Sequence, residues 1–432
     1  MAGKFRLPKG MRDIWPEEME VRLWVFNRIV DVLRRYCFRL VEPSPIESLE
    51  VLEAKSGPSI REEIYWFEDK GGRLLGLRFD LTVGLARMVA GRPDLAMPVK
   101  LAAVSNMWRY DEPQHGRYRC FYQWDAEIFG SSKPDADAEI VALSIDLLEA
   151  LGLKEFEVRV SSRRLAEGFL NSIGVVSPET VESILRVIDK FRKLSSREFQ
   201  EELLKAGLSQ GQLENVMSFL EVQAPAKEAL SRLQEFRSKG GEKFEQGLRE
   251  VEETLEVLSS MGKTGKVLVD TTIVRGLDYY DGFVFEVYDR LEVGLGALVG
   301  GGRYDGLCKI YGRDLPATGA AGGIERTLLA LEKRGKIPRT VLKPTVFVAY
   351  VGGVRAEVVK LVSRLREAGI AADFDLKGRS LKSQLEYADS MEVPFVIVLG
   401  PREVEAGKVR LKLMDKREEK LLSLEEALRL IG

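Results

Sequence analysis

Histidine occurs once in this chain and cysteine three times. A zinc-protease helix needs two histidines, so that class is excluded. A Ser-His-Asp triad would have to use His115, which sits in a Pro-Gln-His-Gly turn with no serine motif nearby. Cys37, Cys120 and Cys308 are far apart and make neither a metal-ligand spacing nor a disulfide framework. Free cysteines of this kind point to a reducing, cytoplasmic setting. An excess of either charge is also missing: 65 basic residues face 67 acidic ones, a net charge of −2. A nucleic-acid partner would therefore have to be met by local basic patches. No apolar run approaches the ~18 residues of a membrane span. The opening MAGKFRLPKGMRDIWPEE lacks the apolar core of a signal peptide. There is no Walker A loop, no GxGxxG after a strand, no internal repeat and no low-complexity tract.

What is present is concentrated in three segments. Residues 109–130 read RYDEPQHGRYRCFYQWDAEIFG, 275–286 read RGLDYYDGFVFE and 300–307 read GGGRYDGL. Arginines, carboxylates, aromatics and glycines packed on strands, almost without histidine, suit charge stabilisation around a transferring phosphoryl or nucleotidyl group. The 432 residues, 45% of them hydrophobic, can fill the cores of two or three domains.

Along the chain, residues 18–36 have helical periodicity, with Met19, Val21, Trp24, Val25, Ile29 and Val32 as the apolar stripe. Residues 98–110 and 117–129 read as two strands joined by a loop at 113–116. On the second strand Cys120, Tyr122, Trp124, Ala126 and Ile128 share one face, and Phe121, Gln123, Asp125 and Glu127 the other. The second face is either an ordinary solvated surface or the floor of a polar pocket; Arg109 and Asp111 match its parity. A helix over 136–151 and a strand over 156–160 follow. From 162 to 265 the pattern turns to charged amphipathic helices, with Ser177 before Pro178 as an N-cap and Ser209 with Gln212 as a capping box. Strand signals return at 267–274 and 283–288, with Asp281 and Gly282 as a hairpin signal between them. The small residues of 317–323 run into a helix over 324–333; they allow either close strand–helix packing or the approach of a ligand to the backbone. After a basic linker, strands at 345–351, 371–374, 395–399 and 408–414 alternate with helices at 356–368 and 381–390. A last helix opens at Ser423 with Glu426 as its capping box.

Several of these segments resemble the histidyl-tRNA synthetases, a class II aminoacyl-tRNA synthetase family. Residues 8–13 (PKGMRD) resemble that family's opening and 78–82 (RFDLT) its amino-acid-binding strand. Residues 109–127 resemble class II motif 2 and 319–326 (GAAGGIER) motif 3. Segments 275–280 and 301–307 resemble the two signatures particular to the histidine enzymes, and the tail resembles an anticodon-binding domain. The sequence departs from the pattern at Cys37, in the place of a motif 1 glycine, at Gly84, often proline, and at Cys120, usually glutamine or glutamate. Pro43 and Pro45 both compete for the motif 1 proline.

The resemblance implies an α+β fold: a class II antiparallel sheet flanked by helices, with a helical insertion and a C-terminal mixed α/β anticodon-binding domain. The implied boundaries are 1–165 and 266–333 for the catalytic core, 166–265 for the insertion, 334–343 for a linker and 344–432 for the anticodon-binding domain. It implies histidine activation by ATP, with Mg²⁺, and transfer to the 3′-terminal ribose of tRNA(His), by a cytoplasmic homodimer. Arg109 and Arg275 would neutralise the α-phosphate. Phe121 and Arg326 would sandwich adenine, Arg117 with Mg²⁺ would hold the outer phosphates, and Asp111 would join the ATP site. Asp80 and Thr82 would take the substrate ammonium and Gln123 its carboxylate. Glu127 and Tyr280 would bracket the imidazole, with Tyr279 and Tyr304 in the same pocket. The alternative is the non-catalytic regulatory paralogue of ATP phosphoribosyltransferase. That paralogue generally lacks the anticodon domain and loses active-site residues.

Overall fold

The computed structural model describes residues 6–56, 58–112, 118–275, 280–338 and 344–431. The chain divides into two compact units: Met1–Ile14 with Val21–Pro338, and Trp15–Glu20 with Arg339–Gly432.

Among the described residues the first unit is built on twelve strands: β1 (Arg39–Leu40), β2 (Ile46–Ser48), β3 (Trp66–Glu68), β4 (Leu74–Leu77), β5 (Val99–Trp108), β6 (Cys120–Phe129), β7 (Phe156–Ser162), β8 (Gln223–Pro225), β9 (Val267–Asp270), β10 (Phe283–Asp289), β11 (Ala297–Arg303) and β12 (Ala317–Gly323). Nine of them form one sheet in the order β1-β5-β6-β12-β11-β10-β7-β9-β8, and β2-β4-β3 form a small second sheet. In the large sheet only β1 with β5 and β7 with β9 run parallel; the other neighbours are antiparallel.

One face of the large sheet is the main core. Trp124, Ala126 and Ile128 of β6 and Phe283, Phe285 and Val287 of β10 pack there with the helices Pro16–Arg35 and Pro134–Ala150. This is the apolar parity expected of β6. On the first helix the buried stripe is Arg22, Val25, Ile29, Val32 and Leu33, so Arg22 takes the inward place that Val21 was expected to hold.

Between β7 and β9 lie the helices Arg163–Ser172, Pro178–Ile188, Ser196–Lys205, Gln210–Leu220 and Ala226–Ser260. Ser177 accepts from the Thr180 N–H ahead of Pro178, and Ser209 and Gln212 close the expected capping box. The segment also contributes β8 to the sheet edge, which its helical pattern does not announce.

Two expectations change here. The 267–274 strand stops at Asp270, whose side chain accepts from the Thr272 N–H (3.0 Å) and Thr272 Oγ1 (2.6 Å) and turns the chain. Asp281 and Gly282 do not close a hairpin, because β7 lies between β9 and β10 and pairs with both. The Asp281 carboxylate instead accepts the N–H groups of Asp305 and Gly306. A local turn signal could not anticipate that the partner strand comes from 156–162.

Two of the sequence departures have geometric causes. Cys37 has φ +61°, the left-handed backbone that favours the glycine it replaces. Gly84 lies against Pro43, where a Cβ would come within 2.8 Å of the proline ring.

The second unit carries β13 (Val346–Tyr350), β14 (Ala372–Phe374), β15 (Phe395–Leu399), β16 (Val409–Leu413) and β17 (Glu418–Leu422), ordered β14-β13-β15-β16-β17. The first three are parallel and the rest antiparallel. Helices cover both faces, so Val346 and Val348 face Val358 and Leu365 while Phe347 and Ala349 face Ala388. β17 was missed because EEKLL is an exposed edge strand with no alternation to read.

Candidate active site

The second face of the large sheet is open between β6 and β10. Antiparallel register sets Gly319, Ala321 and Gly323 of β12 opposite Glu127, Asp125 and Gln123 of β6. It sets Gly302 and Gly300 of β11 opposite Gly319 and Ala321, and Glu286 of β10 opposite Gly300. Paired residues send their side chains to the same face. The two central strands therefore offer a floor almost without side chains, between polar walls on β6 and β10. Over this floor lies a cleft of about 480 Å³.

One group of side chains at the cleft is acidic. Glu127 is buried; one carboxylate oxygen accepts from Thr82 Oγ1 at 2.8 Å and the other from the Tyr304 hydroxyl. A Cβ on Gly319 would overlap this carboxylate, so the glycine is what leaves it room. Asp80 accepts from the Val83 N–H (3.0 Å), at the start of the helix Thr82–Ala90. Asp125 is buried, with Oδ2 3.3 Å from Thr82 Oγ1. Burial, and then the neighbouring Glu127 and Asp80 carboxylates, push its carboxyl well above the usual carboxylate range. A threonine hydroxyl has one proton to give. Thr82 Oγ1 is therefore a donor shared between the two carboxylates, closer to Glu127 than to Asp125. Tyr280 meets Tyr304 edge to face, ring centres 6.4 Å apart.

Three arginines line the same cleft. Arg109 donates to the Phe79 carbonyl (2.9 Å) and lies 5.2 Å from the Phe121 ring centre. Arg275 has φ +56°, and its Nη1 donates to Glu286 at 2.6 Å. Arg326, at the start of the helix Ile324–Lys333, donates to the Ala297 carbonyl at 2.9 Å. The residue before it, Glu325, accepts from Arg22 (3.0 Å) and from the Tyr122 N–H, tying motif 3 to the strand that carries Phe121.

Asp80, Thr82, Arg109, Asp111, Phe121, Gln123, Glu127, Arg275, Tyr280, Tyr304 and Arg326 all line this one cleft. Arg117, Tyr279 and His115 lie outside the described residues. Sequence reasoning gave no role to Asp125, Glu286, Glu325 or Arg22. For the first two, strand parity was the available signal. For Arg22 it was a charge in phase with the stripe of an amphipathic helix.

A mainly antiparallel sheet, opened on one face over a glycine floor and flanked by motif 2 and motif 3 arginines, is the architecture of a class II aminoacyl-tRNA synthetase. More narrowly, the chain belongs to the histidyl-tRNA synthetase family: that family's profile matches residues 10–327, and the anticodon binding domain profile matches 345–432. It is 38% identical to the histidine–tRNA ligase of Thermococcus kodakarensis, over 98% of each chain. It superposes on the crystal structure of histidyl-tRNA synthetase from Nostoc sp. PCC 7120 with a TM-score of 0.83, at 26% identity over 99% of each chain. It is also similar, at 26% identity and a TM-score of 0.76, to an ATP phosphoribosyltransferase regulatory subunit/histidyl-tRNA synthetase from Bacillus halodurans C; 93% of this chain and 99% of that one are covered.

Proposed function

We propose that this protein activates L-histidine with ATP to histidyl-adenylate and transfers the histidyl group to the 3′-terminal ribose of tRNA(His). The observation that carries the reading is one cleft that joins a carboxylate acceptor held on both oxygens, Glu127, to the guanidinium groups of Arg109 and Arg275. Histidine's ammonium group suits Asp80 and Thr82, its carboxylate Gln123, and its imidazole N–H the Glu127 acceptor, with Tyr280 at the second ring nitrogen. The attacking carboxylate and the α-phosphate then meet between Arg109 and Arg275, where positive charge stabilises the developing negative charge. Phe121 and Arg326 are the candidates for the two faces of adenine. Tyr279 and Tyr304 belong to the histidine side and Arg117 to the outer phosphates.

Mg²⁺ needs few protein ligands when nucleotide phosphates hold it. Asp111, a cleft carboxylate following Arg109 in the chain, fits that role, and the ion would offset phosphate charge. The residues 345–432 match an anticodon binding domain, which supports a tRNA partner. We assign 1–165 and 266–333 to the catalytic core, 166–265 to a helical insertion and 334–343 to the linker. A homodimer belongs to this reading, and Trp66 and Leu74, 45% and 43% exposed on one face of the β2-β4-β3 sheet, are an apolar surface it could cover. Among the described residues no helix is long and apolar enough to cross a membrane; the three free cysteines favour the cytoplasm. The regulatory-paralogue alternative is not favoured, since the anticodon-binding match and the charged cleft residues are both present.

The deciding experiment is amino-acid-dependent pyrophosphate exchange across the twenty amino acids. Histidine alone should support exchange. Exchange with another amino acid, or with none, would refute the reading.

A further inference from the structure

Glu286 lies on the cleft face of β10, directly across from Gly300 on β11. Gly300 has no side chain to fill that place, and a Cβ there would overlap the Arg275 guanidinium. The guanidinium thus occupies a slot that the strand pairing makes, with Glu286 as its wall. The Glu286 carboxylate is committed on both oxygens: Oε1 accepts from Arg275 Nη1 at 2.6 Å and Oε2 from the Tyr288 hydroxyl. Burial, and then the Glu286 charge, push the Tyr288 phenol upward, which keeps it protonated as a donor. Tyr288 is held in turn. Arg159 and Arg192 lie over its ring, each 5.5 Å from the centroid, and both donate to the buried Asp270 at 2.6 Å.

We infer that Glu286 is a positioning residue for Arg275: it accepts one edge of the guanidinium and so aims the group at the place where the α-phosphate reacts. A guanidinium has five N–H donors, so a contact at Nη1 is compatible with a second anion on another edge. Arg275 needs such an anchor. Its left-handed backbone is one that side-chain-bearing residues rarely adopt, and it persists only where the surroundings over-determine it. A carboxylate facing a triphosphate would repel it. With both oxygens engaged by donors, Glu286 shapes the field through the arginine instead.

The inference rests on the reading of Arg275 as the α-phosphate contact, and a mutant cycle separates the two. Single-turnover adenylate formation is measured for the wild type, Arg275→Ala, Glu286→Ala and the double variant, with ATP and histidine binding and thermal unfolding measured alongside. Glu286→Ala should slow the step roughly 10–100-fold, the scale of a misplaced reacting group. Both ligand affinities should stay within about 3-fold, because ground-state contacts are kept. Glu286→Gln, which still offers an oxygen to Arg275, should lose only roughly 3–10-fold. In the Arg275→Ala background either change should cost under about 2-fold, since residues acting as a unit are non-additive. If Glu286→Ala does not fold, the Glu286→Gln cycle is read in its place. A wild-type rate for the Glu286 variant, or equal losses with and without Arg275, overturns the inference. A wild-type rate for Arg275→Ala overturns the reading of Arg275 and this inference together.

Discussion

Thr82 has one proton and two carboxylate neighbours, Glu127 at 2.8 Å and Asp125 at 3.3 Å. Glu127 is held as an acceptor on both oxygens, by Thr82 and Tyr304. Glu127→Ala should weaken histidine binding by about 1–3 kcal/mol, the cost of a lost buried acceptor, and leave ATP binding nearly unchanged. Calorimetric titration with each ligand decides it; equal losses for both would mean that Glu127 supports the sheet rather than reads the imidazole. Asp125 carries a pH consequence. Its folded pKa is raised above the ordinary 3.8, so above that value the native state holds a proton that the unfolded chain has released. Stability from this group is complete at low pH and falls as pH rises, by up to about 1.4 kcal/mol per unit, until the folded group ionises. Asp125→Asn removes that slope. Urea unfolding at pH 5 and pH 8 should therefore show the variant gaining on the wild type with rising pH. A difference that stays constant would show that Asp125 is already ionised in the native state.

At the level of elements, the glycines of β11 and β12 are part of the site although they carry no chemistry. Their strands run between two polar walls, and a side chain at Gly319 or Gly300 would meet the Glu127 carboxylate or the Arg275 guanidinium. Gly319→Ala is the sharpest case, because a Cβ would collide with the Glu127 carboxylate and approach the Ala126 carbonyl at 2.8 Å. Overpacking of this kind costs about 1–3 kcal/mol. Here most of that strain should fall on Glu127, so histidine affinity should drop at least roughly 10-fold while ATP affinity changes less. Parallel titrations of the two ligands test this, and unchanged histidine binding would show that Glu127 can move aside. The helices between β7 and β9 are governed by local rules instead. Their caps, Ser177, Ser195 and Ser209, satisfy backbone donors within three residues and could be read without knowing the fold.

For the whole molecule, the small β2-β4-β3 sheet leaves Trp66 and Leu74 exposed on one of its faces. If this surface is the dimer face, the chain should sediment as a dimer at micromolar concentration, and Trp66→Glu should shift it toward monomer. A monomeric wild type would count against the assignment. The second unit has its own apolar clusters on both sides of its sheet, and so a core of its own.

Alternation on β6, helix caps, the α/β pattern of the C-terminal unit and the motif residues were all legible in the sequence, because each depends on neighbours a few positions away. The same local rules marked Phe121, Gln123 and Glu127 as sharing a face before any pocket was known. Only the tertiary structure decided that β7 separates β9 from β10, that Glu286 faces Gly300, and that Arg22 reaches Glu325 across 303 positions of chain. Those facts follow from which strands pair and in what register. Pairing is settled by burying one continuous apolar face, a property of the whole sheet that no local window of sequence contains.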